Sequence, residues 1–298
     1  MPLASLPGPP SGQWHLGPVP VHGYALCVVL GILVALWVAE RRYRAAGGRP
    51  WLIVDLATVV VPAALVGARL YRVTVGYQQF FGGNRDWGDI ARIWDGGLGL
   101  PGAAAGGLIA ALIWCRRTGT GIGPVLGAAV PGLAFGQGIA VLGNWFSQSL
   151  YGAPSSWPWA VRISPRYRVP GYQDFGTFQP LFLYESLFDI LMGFVLIRLI
   201  SAGRLTGERA LALCAGLYAI GRLVIVSLLL TGSQRRSGVL AEQVVAALIV
   251  LGAAVYLYAT RDRQGPQPLL AGPGAPRDVR PQGMEDKVSA DTEDSRLV

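Results

Sequence analysis

Six ionisable side chains interrupt stretches of sequence that are otherwise apolar, and residues of these types could support chemistry there. A charge inside a membrane-depth helix costs roughly a few kcal/mol, so each of these residues is a candidate functional residue. For Asp55, Asp189 and Glu242 a position near the end of an apolar stretch, where water can solvate the charge, is an alternative explanation. The other three are Arg69, Glu185 and Arg222.

Arg222 is the most demanding of the six, because we predict it about mid-way along its apolar stretch. An arginine does not lose its charge by deprotonation, so it needs an anion beside it. One alternative is a salt bridge to Glu185 that only fixes helix packing. The other is the phosphate of a bound lipid headgroup, since phosphate fits the guanidinium fork and a phosphodiester within a membrane implies a phospholipid.

The composition indicates a polytopic membrane protein with no nucleic-acid partner. Of the 298 residues, 52% are hydrophobic and 14% charged, well below the charged fraction of soluble domains. The net charge of +8 would suggest a nucleic-acid binder in a soluble protein. Here the arginines cluster directly after apolar stretches, as they do in cytoplasmic loops. The three cysteines all lie in apolar stretches and predict neither a disulfide nor a metal site.

Runs of about 20 apolar residues predict seven membrane helices. Their approximate ranges are 21–39, 52–75, 96–115, 122–142, 181–200, 210–230 and 239–260. The flank before the first helix has no Lys or Arg and the flank after it has four Arg, so we expect the N-terminus outside. This predicts a 1–20 external segment, a 21–260 membrane domain and a cytoplasmic tail at 261–298 that is disordered. The long loops at about 72–95 and 143–180 would be external and form small head or arm segments.

Glycines four residues apart predict close contacts between these helices. The pairs are Gly102 with Gly106, Gly123 with Gly127, and Gly132 with Gly136.

Five stretches of the sequence lie at 9–27, 62–71, 93–99, 142–146 and 180–186. Together they resemble the phosphatidylglycerol:prolipoprotein diacylglyceryl transferase family in its actinobacterial form. The resemblance covers about residues 5–260. It implies an all-α bundle of seven transmembrane helices in the bacterial plasma membrane, acting as a monomer and without metal or organic cofactor. The family moves the diacylglyceryl group of phosphatidylglycerol onto the lipobox cysteine of a prolipoprotein signal peptide.

The resemblance also assigns roles to individual residues. Tyr24, Asn144, Glu185 and Arg222 correspond to catalytic positions of the family. Positions that bind phosphatidylglycerol correspond to Arg69, Gly143, Asn144, Gly152, Tyr184 and Arg222.

Six positions depart from the family pattern. Val141 replaces an arginine, Ser149 a glutamate, and Pro101 and Gln179 replace histidines. Along the sixth predicted helix, Val226 replaces a glutamate and Leu229 an arginine. Because charges of both signs are lost together, the fold keeps no unpaired buried charge while the chemistry changes.

Two hypotheses follow from the resemblance and the departures. The chain is a divergent transferase, or it is an impaired paralogue that binds phospholipid or lipobox segments without transfer. If Arg222 still holds the lipid phosphate, restoring the charges with Val141→Arg and Ser149→Glu together should raise transfer.

Overall fold

The computed structural model describes residues 5–9, 11–16, 19–75, 99–230 and 236–261. Within them the chain forms seven long helices, one short helix and two small antiparallel sheets. The helices are α1 (Gly23–Ala45), α2 (Leu52–Val75), α3 (Leu100–Thr118), α4 (Ile122–Val141), the short α5 (Gly143–Ser147), α6 (Leu181–Ser201), α7 (Gly207–Leu228) and α8 (Arg236–Ala259). The strands are β1 (Gln13–Leu16), β2 (Val19–His22), β3 (Val161–Arg162) and β4 (Thr177–Phe178).

The helical membrane architecture predicted from the sequence is confirmed. Among the described residues, five helices are long and apolar enough to cross a membrane: α1, α2, α4, α7 and the 242–259 part of α8. Helices α3 and α6, with 19 and 21 residues, are of similar length but are not among these five. Two arginines end α3, while α6 contains Glu185, Asp189 and Arg198.

The first helix starts later and ends later than predicted. Val21 and His22 belong to strand β2, which pairs with β1 in a hairpin, so the helix begins at Gly23 rather than at 21. It continues six residues beyond Ala39, and Arg42 and Arg44 occupy its last turn. Cations there interact favourably with the carboxyl end of the helix dipole, which a hydropathy pattern does not report.

Helix α4 is the centre of the bundle, with more than half of its residues buried. It packs against α1, α6 and α7, while α2 packs against α3 and α7 against α8. Its glycines permit close approach: Gly136 lies against Gly31 of α1, and Gly123 against Gly207 at the start of α7. The predicted contacts are confirmed, and Gly102 of α3 lies in the same way against Gly67 of α2.

A small head covers one end of the bundle. It consists of the described part of residues 5–22 and the segment 148–180. The two parts are joined by a bridge between Leu6 and Val161. Burial raises the pKa of the Tyr151 hydroxyl, which donates to the Tyr167 carbonyl and accepts from the Val169 amide.

The other end of the bundle is rich in arginine. The end of α1, the start of α2, the ends of α3 and α6 and the start of α7 meet there. Arginines in or beside those helix ends are Arg41, Arg42, Arg44, Arg49, Arg116, Arg117, Arg198, Arg204 and Arg209. Of the loop predicted at about 72–95, residues 72–75 belong to α2 and the rest lies outside the described residues, as does the predicted tail beyond 261.

Candidate active site

An arginine and a glutamate on facing helices form the centre of the candidate site. The Arg222 Nη1 atom of α7 lies 3.1 Å from Oε2 and 3.4 Å from Oε1 of Glu185 on α6. The Glu185 residue is 4% exposed. The two charges stabilise each other where water is scarce, so the salt bridge considered from the sequence is present. Arg222 lies in the last third of α7, closer to the head than the mid-helix position we predicted.

Two further side chains complete the surroundings of Glu185. The Tyr218 hydroxyl donates to Glu185 Oε1 over 3.5 Å, and Gln137 Nε2 of α4 donates to that hydroxyl over 3.5 Å. The sequence analysis missed both residues. Tyr218 precedes Arg222 by four residues, one helical turn, and this spacing alone could have identified it.

Two more carboxylates lie near the pair. Oε2 of Glu242 on α8 is 3.5 Å from Arg222 Nη2, with its side chain 58% exposed. Asp189 lies one turn after Glu185 and is fully buried, and among the described residues neither of its carboxylate oxygens has a hydrogen-bond partner. Arg222 is therefore paired with two carboxylates, one buried and one open to the surroundings.

Asn144 joins α4 to the head through its side-chain amide. Its Nδ2 donates to the Val141 carbonyl over 2.8 Å, and its Oδ1 accepts from the Ser149 hydroxyl over 2.8 Å. The neighbouring Gly143 lies against Tyr24, where a Cβ would come within about 3 Å of the tyrosine backbone and ring. The structure thus brings three predicted site residues, Tyr24, Gly143 and Asn144, to one place.

Tyr184 and Gly152 lie where the head meets α6. The Tyr184 hydroxyl accepts a 3.0 Å hydrogen bond from Trp159 Nε1. Gly152 is buried against Leu181 and the Leu228 carbonyl, so it lies between the start of α6 and the end of α7. Both residues lie at the same end of the bundle as Glu185.

Arg69 is buried near the head end of α2, a helix that packs mainly on α3. Glu185 and Arg222 instead lie on helices that pack on α4. The described residues therefore place Arg69 at the same end of the bundle but on a different helix pair.

The six positions predicted to depart from the family pattern occupy different environments. Val141 is 6% exposed in an apolar cluster with Tyr151, Ile163 and Phe178 of the head. Ser149 is exposed, beside Asn144. The remaining four are exposed Pro101 in the first turn of α3, Gln179 before α6, buried Val226 in α7, and Leu229 just after α7.

Comparison with known proteins decides the family. The sequence profile described as prolipoprotein diacylglyceryl transferase matches residues 12–259. The chain belongs to the prolipoprotein diacylglyceryl transferase family. The resemblance stated from five short stretches is confirmed.

Curated relatives from actinobacteria extend over most of the chain. A phosphatidylglycerol--prolipoprotein diacylglyceryl transferase of Streptomyces avermitilis is 39% identical over 98% of this chain and 87% of its own length. Streptomyces coelicolor has two relatives with that name, numbered 1 and 2. They are 39% and 36% identical, over 92% and 88% of this chain and 79% and 83% of their own lengths.

Proposed function

We propose that this member of the prolipoprotein diacylglyceryl transferase family transfers the diacylglyceryl group of phosphatidylglycerol to the lipobox cysteine of a prolipoprotein. The observation that carries the proposal is the Arg222–Glu185 pair, buried at the head end of the bundle. A guanidinium held in place by a buried carboxylate is a suitable group for a phosphate that must lie within a membrane.

In the proposed reaction the cysteine sulfur forms a bond to the glycerol carbon, and the bond from that carbon to the phosphate oxygen breaks. The departing glycerol phosphate takes the electron pair, so negative charge grows on the phosphate. Arg222 stabilises that charge, while Glu185 and Tyr218 orient the guanidinium. The thiol proton leaves with the phosphate or passes to a neighbouring base.

The phosphate must share Arg222 with carboxylates that are already there. Glu242 is the partner that can give way, because its side chain is exposed and its 3.5 Å contact is longer than that of Glu185. A phosphate in its place would accept from Nη2 while Glu185 remains on Nη1. The other predicted site residues surround the lipid headgroup at this end. They are Tyr24, Arg69, Gly143, Asn144, Gly152 and Tyr184.

We place the head on the external side of the bacterial plasma membrane and the arginine-rich end, with the C-terminus, in the cytoplasm. Nine arginines in or beside the helix ends at the end opposite the head support this orientation, since basic loops are retained in the cytoplasm. We further propose that the protein acts as a monomer.

The test is complementation of a bacterial host whose own transferase is depleted. We expect thioether-linked diacylglycerol on the N-terminal cysteine of a lipobox reporter, detected by mass spectrometry. Arg222→Gln should lower the rate about 10²–10³-fold. Arg116→Gln, an exposed arginine at the opposite end, is the matched control and should leave the rate unchanged. Absence of product from well-expressed wild-type chain would refute the proposal.

A second candidate is a paralogue that binds phospholipid or lipobox segments without transfer. It is favoured by Val141, which fills the position of a family arginine with an aliphatic side chain inside an apolar cluster. The two relatives in Streptomyces coelicolor, both named as transferases, illustrate that one actinobacterium can hold two members of the family. Binding of phosphatidylglycerol by purified chain, with no transfer in the depleted host, would support this candidate.

A further inference from the structure

A groove on the side of the bundle lies apart from the Arg222 site. It has a volume of about 530 Å³ between α1, α4 and α6 and is open rather than enclosed. Its walls are apolar and include Val34, Val38, Phe135, Ile139, Ile190 and Ile197. The volume is within the range of small-molecule sites, and the walls suit a hydrocarbon chain.

Two arginines lie where this groove reaches the arginine-rich end of the bundle. The Arg42 Nη2 atom donates to the Gly127 carbonyl over 3.3 Å, while its buried Nε has no hydrogen-bond partner among the described residues. The Arg41 guanidinium lies 5.6 Å from the centre of the Trp37 ring, which also lines the groove. The groove therefore ends in two cationic groups.

Neither arginine is neutralised by the adjacent glutamate. The carboxylate of Glu40 instead accepts hydrogen bonds from the backbone amides of Trp51 and Ile53, at 2.6 and 3.2 Å. Among the described residues no carboxylate lies within ion-pair distance of Arg41 or Arg42. Their charge is available to an anion from the membrane.

We propose that this groove binds an anionic phospholipid, with an acyl chain along the apolar wall and the phosphate at Arg41 and Arg42. The charge pattern identifies the ligand: an apolar groove within the bilayer ends in two arginines that have no carboxylate partner among the described residues. A neutral or zwitterionic lipid would fill the groove but compensate less of the positive charge of the two arginines. The two arginines lie at the opposite end of the bundle from Arg222, whereas the apolar wall extends along α4 and α6 as far as Ile139 and Ile190. The site therefore differs from the Arg222 pair in the position of its charged groups.

Occupancy has a consequence for the fold. The groove is formed by three separate helices, and a lipid that contacts all of them stabilises their packing by mass action. We therefore expect the anionic lipid to raise the Tm of the purified chain more than a zwitterionic lipid with the same acyl chains.

The experiment counts bound lipids by native mass spectrometry of the full chain in detergent. The probes are dioleoyl phosphatidylserine, whose headgroup differs from that of the proposed substrate, and dioleoyl phosphatidylcholine. We expect one phosphatidylserine to be retained in preference to phosphatidylcholine. Arg41→Gln with Arg42→Gln should weaken its binding by about tenfold or more, at roughly 1 kcal/mol per arginine. Arg116→Gln with Arg117→Gln, an exposed pair at the same end of the bundle but outside the groove, should change nothing.

A second variant keeps both arginines and blocks the groove. Ile197→Trp fills the groove, whereas Leu191→Trp places the same side chain on the lipid-exposed face of α6. Loss of the bound phosphatidylserine in the first variant only, with both variants folded, supports the site. Equal retention of the two lipids by wild type, or undiminished phosphatidylserine in both groove variants, would mean ordinary surrounding lipid and overturn the proposal.

Discussion

Arg222 and Arg42 are both partly buried arginines in membrane helices, but the protein treats their charges differently. Arg222, at the head end, contacts two carboxylates from neighbouring helices. Arg42, at the opposite end, contacts only a backbone carbonyl among the described residues. A cation enclosed between helices has to be neutralised by the protein itself, whereas one at the rim of a groove can be neutralised by the membrane. A phosphate at the first site must displace a partner, and one at the second need not.

The largest expected effect comes from removing the buried partner. Glu185→Ala leaves Arg222 with only the exposed Glu242, so we expect the free energy of unfolding to fall by about 3–5 kcal/mol. Glu242→Ala removes an exposed partner and should cost about 1 kcal/mol or less. Denaturant unfolding of both variants in the same detergent measures the difference. Equal losses would contradict the distinction between a structural and a displaceable carboxylate.

The next effect concerns Val141, the position where we predict an arginine in the family. Val141→Arg puts a charge into the apolar cluster beneath the head, at a cost of about 2.5–3.5 kcal/mol. Adding Ser149→Glu should recover part of that stability, because both positions adjoin Asn144, and should raise diacylglyceryl transfer. Transfer to a lipobox peptide in membranes, normalised to protein level, is the measurement, with Ser149→Glu alone as control. A folded double variant without increased transfer would favour the non-catalytic paralogue.

A smaller effect is expected at the junction of α4 with the head. Asn144→Ala removes the donor to the Val141 carbonyl and the acceptor for Ser149, so stability should fall by about 1–3 kcal/mol. Ser201→Ala, an exposed serine at the far end of α6, should stay within about 0.5 kcal/mol of wild type. Thermal unfolding of the two variants checks this. An unchanged stability of Asn144→Ala would contradict this structural role and favour a purely catalytic one.

The smallest expected effect concerns Glu242, the carboxylate that a phosphate would displace from Arg222. Glu242→Gln weakens the competitor for Arg222 Nη2, and an exposed pair is worth up to about 1 kcal/mol, so phosphatidylglycerol should bind up to about fivefold tighter. Asp55→Asn, which disrupts the exposed pair with Arg49 at the other end, is the control. Lipid titration with native mass spectrometry gives both affinities. Unchanged or weaker binding in Glu242→Gln would mean that the phosphate does not replace this carboxylate.

The sequence predicted the parts of the molecule that depend on hydropathy and on burial of charge. Arg222 and Glu185 could be paired in advance because a buried cation needs an anion, and the glycine contacts followed from spacing. The strand at Val21 and His22 was missed because a short apolar stretch reads equally well as a helix. Gln137 was missed because its partner, the Tyr218 hydroxyl, comes from a helix 81 residues away in sequence, and only the tertiary arrangement brings them together.

The contact between Gly207 and Gly123 determines the tilt of α7. A Cβ on Gly207 would lie 1.8 Å from the Gly123 carbonyl oxygen, so any larger residue must push the start of α7 outward. Arg222 is fifteen residues further along, about 22 Å at the helical rise, and over that length a tilt of about 3° moves the guanidinium by about 1 Å. That movement is enough to loosen a 3.1 Å ion pair. The position of the Arg222 guanidinium therefore depends on Gly207, a residue at the opposite end of α7 that touches no substrate.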